Sequence, residues 1–286
     1  MRHDEPVTDY ARFAPFYDRI MGDRTAEIDR VRGYISRHRP GARSLLELGC
    51  GTGALLAGLA PGLSVTGIDR SPEMLAEAAR AVPGARLIEA DMTSFTLPGR
   101  FDVVMCMFDA LNHVTTLDGW LRLFRRAHEH VSDDGLLIFD VNTTGRLQRL
   151  AGAPPYLDEF DGNVVVMTVK AARDGLVLWE TRIFEHQADD LYRLHYEPIY
   201  ELGVPLGQIR GALAGQFELL EEESLDGSPV SDSSDRLFFV YRRRPQWRPG
   251  LEDRPAARAP WREGHHERCQ QSPRSDWASD DDSEQH

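Results

Sequence analysis

The fold of this chain is decided by the stretch Leu45-Leu46-Glu47-Leu48-Gly49-Cys50-Gly51-Thr52-Gly53-Ala54. An apolar strand runs through three glycines into an apolar, helix-forming segment. Glycines are needed where a chain turns sharply and where a ligand lies against bare backbone. The stretch therefore predicts a strand, a glycine loop and a helix, with a nucleotide-like ligand against the loop.

Short apolar runs recur along the first half of the chain, and helical patterns lie between them. Runs that are apolar almost throughout suit strands covered on both faces, and alternation of strand and helix is typical of a parallel α/β sheet. We therefore predict a doubly wound, mostly parallel sheet. The predicted strands are Ser44 to Leu48, Ser64 to Ile68, Arg86 to Glu89, Phe101 to Met107 and Leu136 to Val141.

Helix-capping patterns agree with this alternation. Ser71-Pro72-Glu73 places a capping hydroxyl before a proline and a carboxylate, as at a helix start. Thr115 and Asp118 have the spacing of a capping box at the start of a second helix. We expect Asp133-Asp134-Gly135 to end that helix.

Beyond the fifth strand the pattern of apolar residues changes to one that is typical of antiparallel strands. Three β-rich runs predict an antiparallel insertion over residues 160–200, and a helix and two strands after it complete the sheet. These segments are Val164 to Ala171, Leu176 to His186, Tyr192 to Tyr200, Pro205 to Leu213, Phe217 to Glu222 and Arg236 to Tyr241. We predict one domain over residues 1–244, with helices in residues 1–40 that cover the site.

The closing segment, residues 245–286, has a different composition. Pro, Arg, Ser and Asp dominate it, and such a segment does not bury enough apolar surface to order itself. We predict a disordered tail. Histidines and a cysteine are scattered in it at His265, His266 and Cys269, and their scatter does not indicate a metal site.

Composition excludes several classes of function. Acidic residues outnumber basic ones by 46 to 33, for a net charge of −13, so nucleic acid and anionic membrane are not expected partners. Three cysteines far apart predict neither disulfides nor a metal site. No apolar run approaches the roughly 18 residues of a membrane span, so a reduced cytoplasmic location is expected. No pattern indicates an oligomeric state.

The glycine loop alone leaves two ligands open. Gly49-x-Gly51-x-x-Ala54 also fits the dinucleotide fingerprint, and Asp69, 22 residues after Glu47, suits the ribose of NAD and of S-adenosylmethionine alike. Asp91-Met92, after the third strand, favours a single nucleoside, because its carboxylate can accept from an adenine amino group. Glu47 beside the glycines disfavours a pyrophosphate and favours a cationic sulfonium with an amino-acid tail.

Taken in order, these motifs resemble the class I S-adenosylmethionine-dependent methyltransferases over roughly residues 10 to 242. The motifs are Glu47 to Gly53, Asp69, Asp91-Met92, Phe101 to Val104 and Gly135 to Phe139. Met107-Phe108 followed by Asp109 to His113 is similar to a subgroup that contains amino-sugar N,N-dimethyltransferases. The resemblance implies a seven-stranded, mostly parallel Rossmann-like sheet with a terminal hairpin.

The resemblance also implies a cofactor site and a substrate pocket, with no metal. S-adenosylmethionine would contact Tyr17, Glu47, Gly49, Cys50, Gly51, Asp69, Arg70, Met74, Asp91, Met92 and Met107. Asp69 would hold the ribose, and Asp91 and Met92 the adenine. Tyr10 and Tyr17 resemble an aromatic lid, although both also fit an ordinary helix core. The substrate pocket is expected to contain Tyr10, His113 and His195.

The expected reaction is methyl transfer to an amine or hydroxyl of a small-molecule metabolite or natural product, with an amine preferred. Positioning of the reactants can suffice for a neutral amine, whereas a hydroxyl acceptor would need a base, for which His113, at the carboxyl edge of the sheet, is the candidate. Two alternatives stay open, namely a cofactor-binding regulatory protein without methyl transfer and a methyltransferase of peptides or proteins.

Overall fold

Two β-sheets organise residues 10–245, the part of the chain that the computed structural model describes. The larger sheet has seven strands in the order β10-β11-β5-β4-β1-β2-β3, and the smaller has four in the order β6-β7-β8-β9. The strands are β1 Ser44–Leu48, β2 Ser64–Asp69, β3 Arg86–Glu89, β4 Phe101–Cys106, β5 Val131–Asn142, β6 Tyr156–Phe160, β7 Asn163–Ala171, β8 Leu176–Ala188, β9 Leu191–Leu202, β10 Phe217–Ser224 and β11 Arg236–Arg243.

Helices connect the strands of the larger sheet and cover its faces. They are α1 Tyr17–Met21, α2 Thr25–His38, α3 Ala54–Leu59, α4 Pro72–Ala81, α5 Leu117–His130, α6 Thr144–Ala151 and α7 Leu206–Leu213. Short 3₁₀ helices lie at Ala14–Phe16, Ala110–His113 and Arg173–Gly175.

The larger sheet has the predicted doubly wound topology. Strands β1 to β5 pair in parallel, whereas β11 lies antiparallel to both β5 and β10 and closes the sheet as a hairpin. Strand order reverses at β1, which lies between β2 and β4. Open α/β sheets bind ligands at such a switch point, outside the carboxyl ends of the strands. The glycine loop directly follows β1 at this edge.

Aromatic stacking joins the terminal hairpin to the parallel strands. Phe139 of β5 lies opposite Phe239 of β11 in the strand register, and their ring centroids are 4.9 Å apart. Trp120 and Phe124 of α5 are both 1% exposed and pack on the same face of the sheet. The opposite face is covered by α2 and α3, so the strands are apolar on both sides as the sequence predicts.

The smaller sheet holds the N-terminal segment beside the switch point. Phe13 is 2% exposed and packs with Phe160, Val165 and Ile183, on one face of this sheet. The sheet extends from Tyr156 to Leu202, slightly beyond the predicted insertion. Its first strand, β6, was absent from the sequence prediction because four of its five residues are not buried and give no clear alternation.

Two local predictions at α5 are corrected. The helix cap is Thr116 rather than Thr115, since the Thr116 hydroxyl accepts the Gly119 N–H at 3.1 Å. Asp133-Asp134-Gly135 does not end the helix but lies within β5, which begins at Val131. At α4 the predicted cap is confirmed, because the Ser71 hydroxyl accepts the Met74 N–H at 3.2 Å.

The predicted tail lies outside the described residues, apart from residue 245. Within residues 10–245, no helix combines the length and the apolar character that crossing a membrane requires.

Candidate functional site

A cavity opens at the switch point, at the carboxyl ends of β1, β2, β3 and β4. Its volume, including the open solvent at its mouth, is about 1220 Å³. Its walls come from the glycine loop, the loops after β2, β3 and β4, and the N-terminal segment. The lining residues are Tyr10, Tyr17, Arg24, Glu47, Gly49, Cys50, Gly51, Thr52, Ala54, Leu55, Asp69, Arg70, Met74, Ala90, Asp91, Met92, Thr93, Met107, Phe108, Ala110, His113, Val114, Thr115 and Arg122.

The glycine loop turns through left-handed backbone conformations. Gly49, Gly51 and Gly53 have φ angles of +71°, +51° and +76°, which favour glycine. A Cβ at Gly49 would lie 3.0 Å from the Ala110 Cβ, whereas one at Gly51 would meet no atom within 4 Å. Gly51 therefore leaves open space above bare backbone on the cavity side.

The carboxylate of Asp69 holds this loop from the neighbouring strand. Asp69 Oδ2 accepts the Gly51 N–H at 2.8 Å, and Oδ1 accepts the Ser71 N–H at 2.9 Å. Since a carboxylate has about four lone-pair sites, Asp69 can still accept two hydrogen bonds from a ligand.

A second acidic side chain at the edge of the sheet, that of Asp91, lies after β3. Asp91 Oδ1 accepts the Thr93 N–H at 2.6 Å and the Thr93 hydroxyl at 2.7 Å, which leaves the other carboxylate oxygen for a ligand. Met74, 3% exposed, and Met92 line the same part of the cavity. This end of the cavity thus offers one acceptor and two polarizable apolar side chains, which suit a planar aromatic ring.

Burial favours the uncharged form of two groups beside the glycine loop. Burial, reinforced by Asp69, raises the pKa of Glu47 well above its usual range. Burial also raises the pKa of the Cys50 thiol, and the Glu47 and Asp69 carboxylates reinforce this shift. Because the thiolate is the reactive form of cysteine, the neutral Cys50 is unsuited to nucleophilic catalysis.

A tyrosine and a histidine form a hydrogen-bonded pair in the cavity. The Tyr10 hydroxyl lies 2.9 Å from Nε2 of His113, and Nδ1 of His113 lies 3.3 Å from the carbonyl oxygen of Tyr200. A carbonyl only accepts, so Nδ1 carries the proton and Nε2 accepts from Tyr10. Burial lowers the pKa of His113 and raises the pKa of Tyr10, so both groups are neutral near pH 7.

Two buried carboxyls surround this pair. One side-chain nitrogen of His113 and one carboxylate oxygen each of Asp109 and Glu201 all lie within 4.8 Å of one another. Burial, then repulsion from Asp109, raises the pKa of Glu201 to about 8, against the hydrogen bond that Asn142 donates at 2.9 Å. Glu201 therefore changes its protonation state near neutral pH.

Arg236 of β11 fixes the position of Asp109. Its guanidinium donates to Asp109 Oδ1 at 2.7 Å and to Asp140 Oδ2 at 2.6 Å. Phe108 and Asp109 are consecutive non-glycine residues with φ angles of +62° and +56°, an uncommon conformation that costs free energy. The ion pairs with Arg236 hold this strained turn at the cavity.

The structure brings thirteen of the fourteen predicted site residues together around one cavity. The exception is His195, which does not line it. His195 Nε2 lies 2.9 Å from Glu185 Oε2, and its ring centroid is 5.4 Å from that of Phe16. His195 therefore packs between the smaller sheet and the N-terminal segment.

Sequence reasoning missed several polar residues of the site, among them Arg24, Thr52, Asp109 and Glu201. Thr52 donates to Asp18 Oδ1 at 2.6 Å, which ties the glycine loop to α1. The sequence held a weak signal for Glu201, because it lies on the same face of its strand as His195 and Glu197. The signal is weak because such a polar strand face usually faces solvent. Arg24 has no motif around it that distinguishes it from other arginines.

Known proteins share this sequence pattern and architecture. Residues 45–135 match the model of the family described as "Methyltransferase domain". A protein of Geobacillus sp. (strain WCH70) that is assigned as a methyltransferase is 28% identical over 245 residues, 81% of this chain and 98% of the relative. The SAM-bound structure of CalS10, an amino pentose methyltransferase from Micromonospora echinaspora, covers 85% of this chain and 100% of its own, with 26% identity and a TM-score of 0.67.

The chain is a class I S-adenosylmethionine-dependent methyltransferase. Two further relatives of this methyltransferase have named acceptors. The dTDP-3-amino-3,6-dideoxy-alpha-D-glucopyranose N,N-dimethyltransferase of Streptomyces fradiae is 35% identical over 144 residues, 47% of this chain and 55% of the relative. The cypemycin N-terminal methyltransferase of Streptomyces sp is 29% identical over 219 residues, 73% of this chain and 87% of the relative.

The cavity of the methyltransferase fits its cofactor, S-adenosylmethionine, in shape and in polarity. Gly51 provides bare backbone with open space above it. Glu47, 2% exposed, has its Oε2 atom buried with no hydrogen-bond partner. A buried carboxyl without a partner is costly, and a bound ammonium or sulfonium cation removes that cost.

Substitution of Glu47 by glutamine is expected to stabilise the ligand-free methyltransferase, and more so as the pH rises. An ordinary glutamate ionises near pH 4.3, whereas the raised pKa keeps folded Glu47 protonated, so deprotonation favours the unfolded chain by up to about 1.4 kcal/mol per pH unit. The wild-type free energy of unfolding should fall relative to Glu47→Gln between the unfolded and folded pKa values.

Urea unfolding of both proteins at a series of pH values measures this difference, and Glu89→Gln at an exposed position serves as the matched control. A difference between wild type and Glu47→Gln that stays constant with pH would contradict the burial of an unpaired carboxyl.

Proposed function

We propose that this methyltransferase transfers a methyl group to an amine of a small molecule of metabolite or natural-product type. The observation that carries the proposal is the neutral Tyr10 and His113 pair in the cavity wall, with Asp109 and Glu201 behind it. An amine must be neutral to attack and must lose a proton to complete N-methylation. A neutral imidazole with carboxyls behind it is suited to receive that proton.

We assign the cofactor contacts as the resemblance implies. Asp69 accepts from the ribose hydroxyls, and Gly49 and Gly51 offer bare backbone to the methionine moiety. Asp91 accepts from the adenine amino group, between the side chains of Met74 and Met92. Support comes from the free lone pairs of both aspartates and the open space at Gly51. The remaining assigned contacts are Tyr17, Glu47, Cys50, Arg70 and Met107.

Bound S-adenosylmethionine supplies an activated methyl group on a cationic sulfur. The protein's main contribution is therefore to position the acceptor, and near-attack geometry can lower the barrier by about 7–11 kcal/mol. The packed N-terminal segment, with Phe13 and Tyr17 against the smaller sheet, would exclude water from the acceptor side. Exclusion of water strengthens every charge interaction within the site.

The proton path follows the hydrogen bonds of the pair. The acceptor nitrogen gives a proton to the Tyr10 oxygen as the Tyr10 hydroxyl proton moves to Nε2 of His113. The resulting imidazolium keeps its Nδ1–H on the Tyr200 carbonyl. The Asp109 carboxyl, within 4.8 Å of His113, stabilises its positive charge. Tyr10 ends the step neutral, so its raised pKa does not oppose the transfer.

The names of two of the relatives described above point to amine acceptors. One acts on the amino group of a dTDP-linked amino sugar, and another on the N-terminus of cypemycin, as their names state. The amino-sugar class is the first candidate because the motif after β4 is similar to that subgroup. The N-terminal amine of a peptide is the second candidate, favoured by the relative that aligns over 73% of this chain.

We place the reaction in the cytoplasm. Cys50 and Cys106, the free cysteines of the described residues, are both buried thiols. Burial raises the pKa of both, so neither is prone to oxidation.

An acceptor panel tests the proposal directly. Purified protein and S-adenosylmethionine are incubated with a nucleotide-linked amino sugar, its free amino sugar, its hydroxyl analogue and a peptide with a free N-terminus. We expect S-adenosylhomocysteine and methylated product with an amine and not with the hydroxyl analogue. Methylation of the hydroxyl analogue alone would refute N-methylation, and cofactor binding without turnover on any acceptor would favour the regulatory alternative.

Replacement of His113 by asparagine is expected to lower kcat by about 10²-fold with the best amine, because general bases contribute about 10²–10⁴-fold. The wild-type rate should decline at acid pH because both the acceptor amine and the imidazole take a proton from solvent, and the variant should lose only the part of this decline that is due to the imidazole. His195→Asn, outside the cavity, is the matched control and should keep the wild-type kcat. Unchanged S-adenosylhomocysteine affinity shows that His113→Asn is folded, and an unchanged kcat would contradict the base role.

A further inference from the structure

One buried asparagine joins the carboxyl edge of the larger sheet to the smaller sheet. Asn112 lies in the 3₁₀ helix Ala110–His113, directly before His113, and is 0% exposed. Its Nδ2 atom donates to the carbonyl oxygens of Asn142 and Leu202, at 3.0 Å each, and its Oδ1 atom accepts the Asn142 N–H at 2.9 Å. One side-chain amide thus holds the last residue of β5 and the last residue of β9, with both of its N–H groups in use.

Asn112 and His113 both bond to the outer edge of β9. Nδ1 of His113 donates to the Tyr200 carbonyl at 3.3 Å, and Asn112 donates to the Leu202 carbonyl. Carbonyls two residues apart on a strand point to the same side, and β9 is the last strand of the smaller sheet, so its outer edge is open to other elements. The 3₁₀ helix therefore docks on β9 at two carbonyls in succession.

A second asparagine extends this connection to a buried network. Asn142 Nδ2 donates to Glu201 Oε2 at 2.9 Å, and Arg236 Nη2 donates to Asn142 Oδ1 at 3.3 Å. Asn142 and Glu201 are 2% and 3% exposed. Buried polar groups that are paired in this way make their surroundings rigid. The end of β9 thus has a fixed position relative to β5 and β11.

The position of β9 decides the orientation of the His113 ring. The Tyr200 carbonyl accepts from Nδ1, so it fixes the tautomer and directs Nε2 to the Tyr10 hydroxyl, 2.9 Å away. At 3.3 Å the bond to Tyr200 is long for an N–H donor, and alone it constrains the ring weakly. The 3.0 Å bond from Asn112 to Leu202, two residues further along β9, supplies the missing constraint.

We propose that Asn112 is a positioning residue for methyl transfer, because it fixes β9 against the turn after β4 and so holds His113 toward Tyr10. The inference rests on the proposed function, in which His113 receives the acceptor's proton through Tyr10. Asn112 does not line the cavity, and within residues 10–245 its side chain bonds to no assigned cofactor contact. Its effect on the reaction therefore passes through His113, and cofactor affinity is independent of it.

A double-mutant cycle between Asn112 and His113 tests this role. The kcat at saturating amine and S-adenosylmethionine is measured for wild type, Asn112→Ala, His113→Asn and the double variant. Isothermal titration calorimetry with S-adenosylhomocysteine shows whether each variant is folded. Asn163→Ala is the matched control, because Asn163 accepts the His186 N–H elsewhere in the smaller sheet, at 2.9 Å.

We expect Asn112→Ala to lower kcat at least about tenfold, because a displacement of about 1 Å can cost about 10²-fold in rate. The Kd of S-adenosylhomocysteine should change by less than about threefold. In the His113→Asn background the same substitution should lower kcat by less than about twofold, since the ring that Asn112 positions is gone. A residue that only stabilises the fold would lower kcat by the same factor in both backgrounds. Asn163→Ala should keep the wild-type kcat.

Asn112→Ser is the milder variant if Asn112→Ala does not fold, because the serine hydroxyl can still donate to one carbonyl. The same pattern is expected, with a kcat loss of at least about threefold for the lost hydrogen bond. Equal losses in both backgrounds, or a wild-type kcat in folded Asn112→Ala, would overturn the positioning role while the loss in His113→Asn stands. A wild-type kcat in His113→Asn would instead refute the proposed base, and with it the route through Asn112.

Discussion

The hydrogen bonds between Asp69 and the backbone around it are the interaction on which the site depends. Asp69 reaches from the end of β2 to the Gly51 N–H, and the Ile68 carbonyl accepts from both Gly49 and Cys50 at 2.9 Å. The residues Gly49 to Gly51 of the loop after β1 are therefore held by hydrogen bonds from the neighbouring strand, and Thr52 adds a hydrogen bond to Asp18 of α1. The other side of the loop stays bare because glycine has no side chain and because the loop adopts left-handed conformations. Parallel pairing of β1 with β2 makes this arrangement possible.

A second support comes from the opposite end of the chain. Arg236 begins β11, and its ion pairs hold Asp109 in the strained turn after β4. The smaller sheet holds the N-terminal segment, which brings Tyr10 to His113. The proposed donor side of the cavity is thus built by the parallel strands, and the proposed acceptor side by elements that are remote in sequence. This division fits a family in which one cofactor serves many acceptors.

The donor side could be predicted from the sequence because its evidence is local. Glu47 to Gly53 shows strand, loop and helix within a few residues, and Asp69 and Asp91 each end an apolar run. The mostly parallel, doubly wound sheet followed from the alternation of strands and helices. The predicted helix cap, Thr115, is one residue before the observed cap, Thr116. Both residues are threonines, so only the position of the first helical residue distinguishes them.

The acceptor side could not be predicted to the same depth because its contacts are long-range. Tyr10 and His113 are 103 positions apart, and Arg236 and Asp109 are 127 apart. Glu201 lies on a strand face whose burial depends on which element packs against it. The sequence of the strand does not show which element that is. His195 shares that face yet meets Glu185 instead of the cavity. A single strand pattern thus gave no way to separate these two residues.

The most direct measurement is a crystal structure of the protein with S-adenosylhomocysteine. The compound should lie as a single nucleoside across the ends of β1, β2 and β3, with its ribose hydroxyls on Asp69 and its adenine between Met74 and Met92. An empty cavity at saturating ligand, or the compound bound away from Asp69 and the glycine loop, would contradict this placement.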